Sequence, residues 1–310
     1  MDSLLRNGSY FDKKKVAEEL VVRHGLYVTC GVFIVIANAI CIVVFNSTRE
    51  FRSRFLFFTL LSFSDTVNGV SFIVTGLERN SVILEGLFFT PTTNFECLIK
   101  KSWPFLLLLG GQLPAIFNTL LALERVIAVT FMSWYRNVWG ARHRVFLAAL
   151  GMAFCFVLNA LALLAAYQSP TLNHDQMCGV MDALGHFYGA IHFIWIAFAY
   201  FLSFCVICLL YWHTSKSKML KRSERRKQLA VLLLTGGSVF LVSLPNLTIV
   251  LDEWYPMKFN VLFVGVAYCF YGLQSCATLP IFYCFRSEFR SRLRSILSTS
   301  GASPLSKVCR

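Results

Sequence analysis

The chain has 310 residues, of which 56% are hydrophobic and only 15% charged, with a formal net charge of +13. A mean hydropathy of +0.62 is more than a water-soluble domain of this length needs to bury a core, which argues against an ordinary soluble fold. The positive balance calls for no nucleic acid, because membrane insertion collects Lys and Arg on one face, which then attracts anionic lipid headgroups.

Residues 1–24 are polar and are read as an N-terminal tail with no secretory signal. They carry the sequon Asn7-Gly8-Ser9, which makes Asn7 the predicted glycosylation acceptor. A bilayer core is crossed by about 20 apolar helical residues. Seven stretches meet that length: 25–45, 55–77, 102–131, 145–167, 183–212, 229–251 and 259–285. Seven helices apolar all round do not suit a soluble fold, whose helices are amphipathic. The predicted class is therefore an all-α membrane protein, a seven-transmembrane helix bundle occupying residues 25–285. Residues 286–310 form a short amphipathic eighth helix and a tail, since Phe285, Phe289, Leu293 and Ile296 recur at helical spacing with arginines between them.

Lys and Arg near the span ends number 20 on one side (residues 46–55, 125–144, 213–227 and 284–310) and 9 on the other. The basic side is predicted to be cytoplasmic, with the N-terminus extracellular and the C-terminus cytoplasmic at a plasma membrane. Lys13, Lys14 and Lys15 pull the other way, and the whole-chain count outweighs them.

Along the spans, polar residues are the informative ones, because a charge at a helix centre costs about 2.5–3.5 kcal/mol on insertion scales. Asn38 in the first span and Asp65 in the second form either a structural hydrogen-bonded pair or a polar network that rearranges with the helices. Cys97 and Cys178 are the two cysteines predicted to lie outside the lipid on the oxidising side, and pair as a disulfide unless both stay free. Glu124-Arg125-Val126 closes the third span; Arg125 either snorkels to headgroups or switches between a sideways partner and a protein partner. Pro245 and Pro280 break the sixth and seventh spans, as packing kinks or as hinges.

Taken in order, these residues resemble the rhodopsin-like G-protein-coupled receptors across nearly the whole chain. Asn38 is similar to the family's first-helix asparagine, and Leu61-Ser62-Phe63-Ser64-Asp65 to its Leu-Ser-x-x-Asp. Cys97 with Cys178 is similar to its external disulfide, and Glu124-Arg125-Val126 to its Asp/Glu-Arg-Tyr. Pro245 matches the sixth-helix proline, and Pro280 with Tyr283 the Asn-Pro-x-x-Tyr motif. Leu279 in place of Asn, Ser243 in place of Trp and Pro114 in place of Ser depart from the pattern. With the stretch Ala122-Leu123-Glu124-Arg125-Val126-Ile127-Ala128-Val129, they resemble the nematode serpentine chemoreceptors.

The resemblance implies a receptor for a small-molecule or short peptide agonist that couples to a heterotrimeric G protein within the lipid bilayer. Switch residues would be Asn38, Asp65, Glu124, Arg125, Pro245, Pro280 and Tyr283. Leu107 stands where amine receptors place Asp, and the seventh span lacks the lysine that binds retinal. Ligand-binding candidates are Gln112, His186, His192, Tyr268, Tyr271 and Gln274, each weighed against a plain interhelical hydrogen bond. The acid that often restrains the family's arginine from the sixth helix is replaced by Arg225, so Glu124 is expected to restrain Arg125 alone. Neither a cofactor, a metal nor an enzymatic activity is expected, since no His-rich metal box or nucleophile context is present. A neuropeptide receptor of the same fold is the first alternative and a small transporter or channel the more remote one, the latter disfavoured because seven spans do not divide into two repeats.

Overall fold

The computed structural model describes residues 10–168, 170–173, 175–216, 222–254 and 261–301. Among these, seven helices are long and apolar enough to cross a membrane. The first is Tyr10–Phe45, the second Leu56–Leu84, the third Ser102–Thr130, the fourth Ala141–Gln168 and the fifth His186–Lys216. The sixth runs through Arg222–Ser238, Val239–Ser243 and Leu244–Trp254, and the seventh through Val261–Cys276 and Thr278–Phe285. The chain is an all-α seven-helix bundle of multi-pass membrane type. Asn7, the predicted glycosylation acceptor, lies outside the described residues.

Burial ranks the helices. The apolar window of the third span is 67% buried and that of the fourth only 28%, so the third threads the middle of the bundle and the fourth sits at its rim. Phe146, Phe156, Phe187 and Phe198 are exposed on the outer surface, where lipid solvates them at no cost.

Several boundaries differ from the sequence reading. The first helix starts at Tyr10, so most of the segment read as a tail is helical; Leu20 is fully buried and fastens that extra length to the bundle. The second span continues past Leu77 to Leu84 and takes Arg79 inside with it. The fifth begins at His186 because Gly185, at φ 77°, ends the preceding short helix Val180–Leu184.

Both prolines interrupt their spans, each in its own way. Pro245 follows a π-helical segment, Val239–Ser243, in which the Leu244 N–H reaches back to the Val239 carbonyl. The wider turn absorbs the carbonyl that proline cannot serve. Upstream of Pro280 the helix breaks at Ala277, whose N–H turns to the Gln274 carbonyl at 3.0 Å.

Spans one and two approach closely through glycines. A Cβ on Gly31 would lie 2.6 Å from the Gly69 carbonyl oxygen, and one on Gly76 would lie 2.6 Å from that of His24. Backbone cannot yield as a flexible side chain can, so Gly31→Ala is expected to lower stability by about 1–3 kcal/mol through overpacking. Gly25→Ala, with open space at its Cβ, should gain up to about 1 kcal/mol from helix propensity instead. Thermal unfolding of both variants in one detergent checks the contrast, and equal midpoints would refute it.

At one end of the bundle, β1 (Thr92–Thr93) and β2 (Leu172–Asn173) pair antiparallel, Thr92 opposite Asn173. Cys97 and Cys178 form a disulfide there, with Cα atoms 5.4 Å apart. The Trp103 indole donates to the carbonyls of Met177 and Cys178 at 3.2 and 3.1 Å. The segment after the fourth span is thus pinned across the start of the third, as the sequence pairing implied. At the opposite end, the amphipathic helix Ser287–Gly301 folds back on the bundle. Phe289 is 1% exposed against Phe45 and Phe282, and Arg292 donates to the Ser47 hydroxyl at 2.8 Å.

Candidate functional site

Three polar constellations lie along the bundle axis. Midway, Ser275 of the seventh span gathers the predicted polar pair. Its carbonyl accepts from Asn38 at 2.8 Å, its hydroxyl accepts from Asn68 at 3.1 Å, and its side chain hydrogen-bonds Asp65. Asn38 and Asp65 are therefore joined through a third helix. Neither Ser275 nor Asn68 stood out in the sequence, since a serine in an apolar run carries no signal until its neighbours are known.

Toward the disulfide end, a small cavity of about 30 Å³ lies among spans two, three, five, six and seven. Space of that size holds roughly one water or two. His192, Tyr268 and Tyr271 line it, together with Pro245 and Asn246. Three other predicted ligand residues do not. Gln112 turns toward spans four and five, with its amide 3.3 Å from His192 Nδ1 and its carbonyl accepting from Asn159 at 2.8 Å. Gln274 donates to the Ser238 hydroxyl at 2.8 Å and the Leu234 carbonyl at 3.1 Å, clasping spans six and seven. His186 is exposed at the start of the fifth span. Gln112 and Asn159 pair across helices because an unpaired amide in an apolar interior is costly, although Asn159 Oδ1 and Gln274 Oε1 remain buried without a partner. Tyr271 donates to the Gly110 carbonyl at 3.1 Å, bringing span seven against span three.

Beside this cavity stand buried groups the sequence reading overlooked. Arg23, His24 and Arg79 are 6%, 0% and 4% exposed. Arg23 falls in the segment read as tail and Arg79 beyond the predicted second span, and only the longer helices bring them inside.

At the other end a wider crevice of about 390 Å³ opens between spans. Arg54, Arg125, Arg144 and Arg286 line it, with Tyr135, Tyr211 and Gln228. Glu124 does not hold Arg125, contrary to expectation. Its Oε1 accepts from Arg144 Nε at 2.6 Å and from the Tyr135 hydroxyl at 3.1 Å, and Arg144 reaches on to the Ser53 carbonyl at 3.0 Å. Adjacent residues on a helix point about 100° apart, so Glu124 faces span four while Arg125 faces the crevice. The Arg125 guanidinium sits 5.8 Å from the Phe58 ring centroid, its Nε lacks a partner, and no carboxylate pairs with it among the described residues. Burial pushes the Tyr135 phenol above its ordinary pKa, and the Glu124 carboxylate adds to that. Tyr135 therefore keeps its proton and remains a donor.

Tyr283, a predicted switch residue, is 40% exposed, and its neighbour Phe282 takes the interior at 0%. Phe282 packs on Phe58 at 4.7 Å between ring centroids. Glu224, the acid beside Arg225 in the sequence, lies where side chains are not described. No group of three or more His, Cys, Asp or Glu residues able to hold a metal is present among the described residues.

No protein-family model matches the chain, and no curated protein matches it.

Proposed function

We propose that the chain is a G-protein-coupled receptor, most simply a chemosensory receptor for a small organic ligand, set in the plasma membrane with its disulfide end outside. The observation that carries this reading is Arg125. It closes the third span, belongs to an ordered set of receptor-like residues, and faces a crevice of about 390 Å³ with no carboxylate paired to it among the described residues. An uncompensated guanidinium at the mouth of a cavity is suited to accept carbonyls or a carboxylate from a docking protein segment.

The 20 to 9 excess of Lys and Arg at the crevice end supports a cytoplasmic position for that end. Ligand would act at the opposite end, through the aromatic cavity beside the Pro245 break, by favouring one helix arrangement over another. Because Glu124 is engaged by Arg144, the restraint expected on Arg125 is missing in this arrangement. The crevice is already open, so measurable exchange without ligand is expected.

The test is guanine-nucleotide exchange on purified heterotrimeric G proteins of several subtypes, with the purified chain reconstituted in lipid. Exchange above that of empty vesicles supports the receptor. A current across the same bilayers with no exchange on any subtype would replace it with a channel.

A further inference from the structure

Spans one, two and seven enclose two guanidiniums and an imidazole near the disulfide end. Arg23 Nε donates to the Tyr27 hydroxyl at 2.6 Å. Its guanidinium lies 5.5 Å from the Tyr27 ring centroid and 5.9 Å from that of Tyr268. The stem of Arg23 can cross to the seventh span because Gly265 stands there; a Cβ at Gly265 would come 2.8 Å from Arg23 Cγ. Arg79 Nη2 donates to the Cys178 carbonyl at 3.2 Å, and its buried Nε has no partner. His24 meets Asn80 through Nδ1 at 3.0 Å, leaving buried Nε2 without a partner.

No carboxylate forms a salt bridge with Arg23 or Arg79 among the described residues. Asp182 acts electrostatically on Arg79, yet its Oδ2 accepts from the Gly179 N–H at 2.8 Å. Two cations buried without a salt-bridged carboxylate among the described residues oppose folding. A chain retains such an arrangement when the missing anion arrives from outside. A guanidinium with free N–H groups binds an oxyanion through paired hydrogen bonds.

This cationic cluster does not itself line the cavity but adjoins it through Tyr27. Tyr268 and Phe72 both line the cavity, and both pack edge-on against Tyr27, at 5.8 and 5.5 Å between ring centroids. An anionic head at Arg23 and Arg79 would therefore direct its apolar remainder between aromatic rings. We propose that Arg23 and Arg79 recognise the oxyanion of a small acidic organic ligand, a carboxylate or sulfate, whose apolar part enters the neighbouring aromatic cavity. This rests on the receptor reading and names the ligand class. The cavity of this conformation is closed around space for about one or two waters, so binding widens it.

The full chain in phosphatidylcholine nanodiscs provides the test. Its thermal midpoint is measured against octanoate, 4-phenylbutyrate and phenyl sulfate, with octanamide, 4-phenylbutyramide and phenol as neutral counterparts and inorganic sulfate as a bare oxyanion. The organic acids should raise the midpoint saturably while the neutral counterparts do not. Half-saturation should weaken at least about tenfold in Arg79→Gln and in Arg23→Gln. Without ligand, both variants should be no less stable than the parent, because each removes an uncompensated charge. A response to acid and amide alike, or to no acid, overturns the proposal. So does a fall in the ligand-free midpoint of both variants with the acid response intact, which would make the arginines structural. Stabilisation that appears only when phosphatidylserine replaces phosphatidylcholine assigns the site to a lipid headgroup and overturns the free acid. No G protein enters the measurement, so a chain that binds acids yet drives no exchange defeats the receptor alone, and the reverse defeats this site alone.

Discussion

On the proposed receptor function, Arg125→Ala is expected to reduce G-protein nucleotide exchange at least about tenfold, with and without ligand, while leaving the fold intact. The guanidinium makes no ion pair among the described residues, and its clearest contact is the Phe58 face at 5.8 Å. An exposed or partly exposed cation–π contact contributes about 0.5–1 kcal/mol, so truncation should move the thermal midpoint by only a few degrees. What it does remove is the donor set facing the crevice. Arg125→Lys keeps the charge but loses the planar fork, and should fall between parent and alanine. Unchanged exchange in Arg125→Ala would count decisively against Arg125 as the coupling residue. Exchange lost together with the folded state would trace the effect to stability instead.

Glu124→Gln is expected to lower stability by about 2–3 kcal/mol, the second large effect. The carboxylate is 5% exposed and Arg144 13%. Removing one partner of a buried pair leaves the other charge desolvated and uncompensated, and that penalty exceeds the net value of the pair itself. Full burial would put the loss higher; the partial access of Arg144 to water reduces it. Because the Tyr135 hydroxyl and the Ser53 carbonyl remain near Arg144, part of its hydrogen bonding survives. In the double variant Glu124→Gln/Arg144→Gln no charge is stranded, so it should be more stable than the sum of the single losses predicts. Strict additivity in chemical denaturation would show that the pair is energetically idle.

Hydropathy and proline chemistry are properties of a single segment, and those features were legible in the residue order. The seven spans, the two proline breaks, the amphipathic terminal helix and the Cys97–Cys178 pair all appear where the chain suggested. Pro245 acts within its own helix, by withholding one N–H. Span ends were read less well, because Arg23 and Arg79 looked like the polar limits of their helices. Each helix in fact continues past its arginine, whose long apolar stem packs inside the bundle. The ligand candidates divided for a related reason. His192, Tyr268 and Tyr271 face the cavity, whereas Gln112 and Gln274 turn to Asn159 and Ser238 on other helices.

Residue order alone determined seven helices long and apolar enough to cross lipid, with most of the Lys and Arg at one end, since transfer from water to hydrocarbon is summed residue by residue along each segment. Which arginine finds an acid was settled only in three dimensions. Glu124 meets Arg144 twenty positions away, Arg79 meets Cys178 across 99, and Tyr283 yields the interior to Phe282. These outcomes depend on how each helix is rotated about its axis against its neighbours. That rotation follows from the joint packing of many side chains on different helices, a quantity no single segment contains.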